Sequence, residues 1–186
     1  AGQPSPVPSG CGADAGAGGN GGASSGGSGT GGGSSDTSLC AKYGGADNVE
    51  SVVKTQVIGA IAGDCRINTF FTSLGEDAFT RVNDCLAIQV QELFGCAGVT
   101  YVGSKDSNGQ MCRSMSEAHL GLGISQADFD ALIEDVVAGL SEAGVEQADI
   151  DAAAPALLGM QDDIVEQDID ENTKGMCEAG GAGGSN

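Results

Sequence analysis

The chain has 186 residues, 33 of them glycine, and a formal net charge of −19. That charge excludes nucleic acid and anionic membrane surfaces as natural partners, because both would repel it. No apolar run is long enough to span a bilayer, and with a 4% aromatic fraction and no tryptophan the core must be built from Leu, Ile, Val, Ala and a few Phe.

Residues 1–38 open with Pro4, Pro6 and Pro8 and then become Gly, Ser and Ala almost without interruption, which reads as an arm rather than a folded unit. Leu39 to Gly45 is a short helical turn broken by two glycines. Asp47 or Asn48 can cap the next helix, in which Val49, Val52, Val53, Val57, Ala60 and Ile61 form one apolar stripe. Asp64 to Phe71 is a tighter turn ending in two aromatics. A second helix covers 76–94 through Phe79, Val82, Leu86, Val90, Leu93 and Phe94, and stops at Gly95. A polar loop follows over 95–113, bracketed by Cys96 and Cys112. A short helix then ends at His119, the single histidine of the chain, one residue before Gly121-Leu-Gly123.

Ser125 with Asp128 has the pattern of a helix N-cap, and Phe129, Leu132, Ile133, Val136, Val137 and Leu140 give the helix behind it a clear apolar face. The last helix is expected from about Glu146 to Gln167, interrupted and kinked at Pro155. A Gly-Ala tail closes the chain. No strand pattern survives, so the expected architecture is all-α: an arm over 1–38, a helical domain over 39–168 and a Gly-rich tail over 169–186.

Seven cysteines stand at 11, 40, 65, 85, 96, 112 and 177, without a Cys-x-x-Cys pair. With a single histidine beside them, this spacing disfavours zinc and points to disulfides in an oxidising compartment. The start at Ala1 reads as a mature N-terminus after signal-peptide removal, so the expected location is secreted or periplasmic. Cys96 and Cys112 are expected to bridge the ends of the long loop, leaving Cys40 with Cys177 and Cys65 with Cys85. An odd count leaves one cysteine over, and Cys11 in the arm is the candidate for an intermolecular bond.

Taken together, Tyr43-Gly44-Gly45, Arg66-Ile-Asn-Thr-Phe70-Phe71, Thr100-Tyr101 with Gly103, and Met115-Ser-Glu-Ala-His119-Leu-Gly-Leu-Gly-Ile124 with Asp128-Phe129 resemble a truncated haemoglobin of the first group over about residues 39–166. The closing Leu157-Leu-Gly-Met-Gln-Asp-Asp-Ile164-Val165 resembles it too. The resemblance implies a two-over-two helical sandwich and one haem b per chain. It implies His119 as the iron ligand, Phe71 against the porphyrin face, and further cofactor contacts from Phe70, Val82, Leu86, Tyr101, Met115, Ile124 and Phe129. Where many members carry a distal tyrosine, this chain has Val57-Ile58, within a stretch, 52–65, that contains an insertion. Val82 and Leu86, with Cys85 beside them, are expected to face the iron, so the distal side lacks a hydrogen-bond donor unless Asn83 or Gln89 turns inward.

Two functions from different classes follow. One is an exported haem globin that binds a small diatomic gas, or carries electrons, at iron. The other is an assembly subunit, a homo-oligomer or filament joined through residues 1–38 and Cys11, with the globin as a building block. An enzyme is the less supported reading, since no Ser-His-Asp set, placed pair of carboxylates or phosphate loop occurs.

Overall fold

A computed structural model describes residues 37–175 and Cys177. All but the last two residues of the expected arm, including Cys11, lie outside the described residues. Helices in order are α1 (Leu39–Lys42), α2 (Ala46–Val52), a π-helical turn (Val53–Val57), α3 (Ile58–Gly63), α4 (Thr69–Thr72), α5 (Glu76–Leu93), α6 (Met115–His119), α7 (Gln126–Glu142), α8 (Gln147–Leu158) and α9 (Gln161–Ile164). Among the described residues β-pairing is limited to two isolated bridges. The all-α expectation therefore holds.

Helix α2, the π turn and α3 run on as one element and pack against α5 on one side and α7 on the other. A π turn contains more residues than an α turn, and it falls within 52–65, the stretch read as holding an insertion. It also redraws the apolar stripe. Val49, Val53, Val57, Ile58 and Ile61 are buried, whereas Val52 and Ala60 are only partly so. The helix begins behind Gly45 without a side-chain cap, so the caps expected from Asp47 or Asn48 are corrected. The Asn48 amide instead donates back to the Tyr43 carbonyl at 2.8 Å.

The crossing of the π turn with α7 depends on Gly139. A Cβ there would sit 2.7 Å from the Val57 Cα and 2.8 Å from its backbone nitrogen, distances that backbone atoms cannot relieve by rotating. Gly139→Ala is expected to cost about 2 kcal/mol, by overpacking. Urea unfolding checks this, and a variant as stable as the parent would mean that the two helices can move apart freely.

Helix α5 matches the expected 76–94 to within a residue, and α7 starts at the expected Ser125. Ser125 and Asp128 form a reciprocal capping box, and both are buried. The last helix is corrected. Pro155 lies inside α8, which continues past it to Leu158, and the interruption falls at Gly159 and Met160 before α9.

All three expected disulfides are corrected as well. The bonds are Cys40–Cys96, Cys65–Cys177 and Cys85–Cys112, with Cα separations of 5.0, 5.0 and 5.7 Å. The loop 95–113 is not closed on itself, because its two ends are claimed by different helices. At its start, the Cys40 amide donates to the Phe94 carbonyl at 2.8 Å and sets α1 beside Cys96. At its end, Lys105 and Met111 bridge, and buried Asp106 pairs with Arg81 of α5, which folds the loop down until Cys112 meets Cys85. Cys177 reaches Cys65 because residues 166–175 turn back over the domain as a strap.

Asp135 on α7 is buried with one carboxylate oxygen unpartnered. Burial pushes its pKa up to about 6; Asp64 and Glu134 add to the rise and Arg66 opposes it. An unfolded Asp titrates near ~3.9, so the folded protein holds this proton more tightly. The resulting stabilisation is complete below about pH 4 and is lost as pH rises through about 6. Asp135→Asn is expected to gain about 2 kcal/mol at pH 8 and nothing at pH 4. Thermal melts at the two pH values check it; equal destabilisation at both would show that the carboxylate makes a needed bond.

Candidate functional site

His119 is the last residue of α6, a five-residue helix that would not persist alone. Its start is held by Ser114, whose side chain accepts from the Glu117 amide while the Glu117 carboxylate accepts from the Ser114 amide. Its body packs against α9. The imidazole is half-buried, and Nδ1 lies 2.7 Å from the Met115 carbonyl. A carbonyl can only accept, so Nδ1 carries a proton, and in the neutral ring the lone pair is on Nε2. That is the tautomer in which histidine ligates a metal through Nε2, with the ring orientation set by the backbone.

Beside α6 lies an apolar cluster with Ile124, Phe129 and Ile164 buried, and Phe70, Met115, Ile133, Met160 and Val165 partly buried around them. The structure thus brings together four of the residues expected at the site: Phe70, Met115, Ile124 and Phe129. Phe71 and Leu86, also partly buried, pack instead on the larger core that includes Val53, Val57 and Ile58. Phe70 touches both clusters and marks their boundary. Val82 is half-buried on α5. Tyr101 sits in the loop, and its hydroxyl donates to the Arg113 carbonyl at 2.7 Å, just ahead of α6. Burial pushes the Tyr101 phenol up. Its visible role is to brace the approach to α6.

On the α5 side, Cys85 is committed to its disulfide. The Asn83 amide donates back to the Phe79 carbonyl of its own helix at 2.9 Å. Gln89 points towards α6 and α9, its amide lying 2.7 Å from the Met160 Sδ and 3.5 Å from the Met115 Sδ. The polar amide is thus met by polarisable sulfur, an adaptable lining.

Sequence reasoning missed the brace behind His119. Gly121 and Gly123 both take positive φ, at 79° and 71°, a region that side-chain-bearing residues avoid. Their amides turn to one side and donate to the Glu166 carboxylate, Gly121 at 2.5 Å. These bonds hold the Glu166 carboxyl below its ordinary range. The Glu166 and Gln167 amides donate to the Ile124 carbonyl, at 2.8 and 3.1 Å. The Gly-x-Gly spacing signals a pair of converging amides, but nothing local says which of 26 acidic residues answers them.

An all-helical domain with a single histidine presented at the end of a short helix, beside a packed apolar cluster, has the architecture of a shortened globin. No family profile and no curated protein matches the chain. Solved structures do. A point mutant of the truncated haemoglobin from Tetrahymena pyriformis, in the Fe(III) form, superposes with a TM-score of 0.56 at 25% identity, over 69% of this chain and 97% of that one. The 2/2 haemoglobin from Synechococcus sp. PCC 7002, in the cyanomet state with covalently attached haem, gives 0.54 at 26% identity, over 70% and 99%. The chain has the two-over-two helical sandwich fold of these truncated haemoglobins.

Proposed function

We propose that this chain holds one haem b through Nε2 of His119 and binds a small diatomic ligand at the iron. The observation that carries the reading is the 2.7 Å contact from His119 Nδ1 to the Met115 carbonyl. It presents an imidazole in the ligating tautomer beside an apolar cluster. The donor set fits the group, since a globin site needs one neutral imidazole and an otherwise apolar, water-excluding pocket. When bound, haem supplies the iron and the open coordination position at which a gas is held. The chain supplies orientation and dryness: Ser114 and Glu117 cap the helix of His119, Glu166 braces the turn behind it, and Phe70, Met115, Ile124 and Phe129 exclude water.

With Ile58, Val82 and Leu86 as the ligand-facing residues, the distal side is alkyl. Bound oxygen, which draws negative charge from iron, finds no donor there, while carbon monoxide needs none. Oxygen dissociation is therefore expected to be faster than in a globin with a distal tyrosine. Flash photolysis measures it, and a rate as slow as that of a tyrosine-bearing globin would show that Gln89 turns inward. The primary test is simpler: titration of the purified protein with haem, followed by absorbance. A Soret band that saturates at one haem per chain supports the reading, and its absence ends it.

A second reading adds assembly. The three disulfides take six of the seven cysteines, and the one they leave is Cys11. Three disulfides also suit an exported protein. Non-reducing gels of the native chain and of Cys11→Ser test the joining of copies; identical monomer bands would remove it.

A further inference from the structure

The chain has seven basic residues against 26 acidic ones. Four of the seven are already engaged: Lys42 by Glu146 and Asp149, Lys54 by Glu50 and Asp84, Arg66 by Asp64 and Glu134, and Arg81 by Asp106. Lys105 lies on the hairpin folded over α5, and Arg113 stands near Glu117. Lys174, like Lys105 and Arg113, has no described carboxylate within ion-pair distance, but alone of these three its ammonium stands over a described aromatic ring, 4.4 Å from the centroid of Phe70. A cation over an aromatic face is attracted by the ring but keeps its outer side open to an anion.

The backbone around Lys174 is anchored on both sides. Before it, the Thr173 hydroxyl donates to Asp128 at 2.6 Å, and the Asn172 amide donates to the same carboxylate at 3.1 Å. At the residue itself, the Lys174 carbonyl accepts from the Thr69 hydroxyl at 2.6 Å. After it, Gly175 passes so close that a Cβ there would lie 3.2 Å from the Arg66 carbonyl oxygen. The Cys65–Cys177 disulfide follows two residues later. The rest of the strap is acidic, with Asp168, Asp170 and Glu171. Three hydrogen bonds, a disulfide and one close backbone approach thus hold one lysine at a fixed place on an otherwise anionic segment. The ring beneath it belongs to the same cluster as Met115, whose carbonyl orients His119.

A haem carries two carboxylates on one edge. A protein of charge −19 repels them unless a cation stands beside the apolar cluster next to His119. We infer that Lys174, held over Phe70 by the C-terminal strap, pairs with a carboxylate of the haem and slows its loss. This rests on the haem reading above. The strap then has a role beyond closing the domain: its disulfide sets where the charge stands.

The test compares the full-length chain with Lys174→Gln and Lys174→Arg, each loaded with iron protoporphyrin IX or with its dimethyl ester, in which both carboxylates are neutral. The readout is the rate at which the pigment leaves for an excess of apomyoglobin. Lys174→Gln is expected to lose the free-acid haem about fivefold faster, with Lys174→Arg close to the parent. The ester is expected to leave all three proteins at one rate, and added salt to narrow the free-acid difference. Equal free-acid rates for the parent and Lys174→Gln would overturn the inference while leaving haem binding intact. So would an equal acceleration of acid and ester, which would mean that Lys174 acts only by packing on Phe70. A parent chain that takes up neither pigment overturns the haem reading itself, and this inference with it.

Discussion

His119→Ala is expected to abolish the Soret band of the haem-loaded protein at micromolar concentration, and millimolar imidazole is expected to restore part of it. The physical ground is that Nδ1 is spent on the Met115 carbonyl and Nε2 is the nitrogen left to ligate. His119 is the single histidine in the sequence, so no other imidazole can take its place. Gln89, Met115 and Met160 lie near α6, but sulfur or amide ligation would give a visibly different spectrum. An unchanged Soret maximum in His119→Ala would remove His119 from the site. Glu166→Gln, which weakens the acceptor for the Gly121 and Gly123 amides, should leave the band in place.

Cys40→Ala with Cys96→Ala is expected to destabilise the domain by about 4 kcal/mol, because the bond closes a span of 56 residues in the unfolded chain. That is a large share of the ~5–15 kcal/mol that holds a domain folded. Both sulfurs are buried against the core containing Val49 and Phe94, so the change also leaves a void. Guanidinium unfolding without reductant measures it. A loss below about 1 kcal/mol would mean that the unfolded chain is already compact around this pair.

The two expected effects differ in how legible they were. His119 could be singled out from sequence because its setting is local. Met115, His119, Gly121, Gly123 and Ser125 fall within eleven residues, and a helix end, a turn and a cap are each decided within a turn or two of chain. The same holds for α5, for α7 and for the Ser125–Asp128 capping box, whose periodicity and spacing mark them in any context. The all-α class and the order of elements follow from these patterns, and so does the resemblance that the solved structures bear out.

Other features are decided by packing between distant segments, and there local pattern fell short. Cys40, Cys96, Cys65, Cys177, Cys85 and Cys112 could be recognised as disulfide formers. Their partners lie 56, 112 and 27 residues apart, and the pairing is set by where the loop 95–113 and the strap fold down. The π turn at Val53–Val57 read as an ordinary helix because its stripe is nearly α-periodic; contact with α7 at Gly139 and with α5 selects the wider turn. Pro155 looked like a break, yet α8 runs through it, since one absent backbone donor is tolerated where Ile150, Ala153 and Leu157 are buried on the same helix. Glu166 and Lys174 carry no local signal, being one acid of 26 and one base of seven. Sequence alone determined which segments are helical and which histidine is presented; only the tertiary structure decided which cysteines meet, which carboxylate braces the turn behind His119, and which cation stands over Phe70. The division is physical: helices and caps are settled by neighbours within a few residues, whereas these contacts exist only once separate helices have packed.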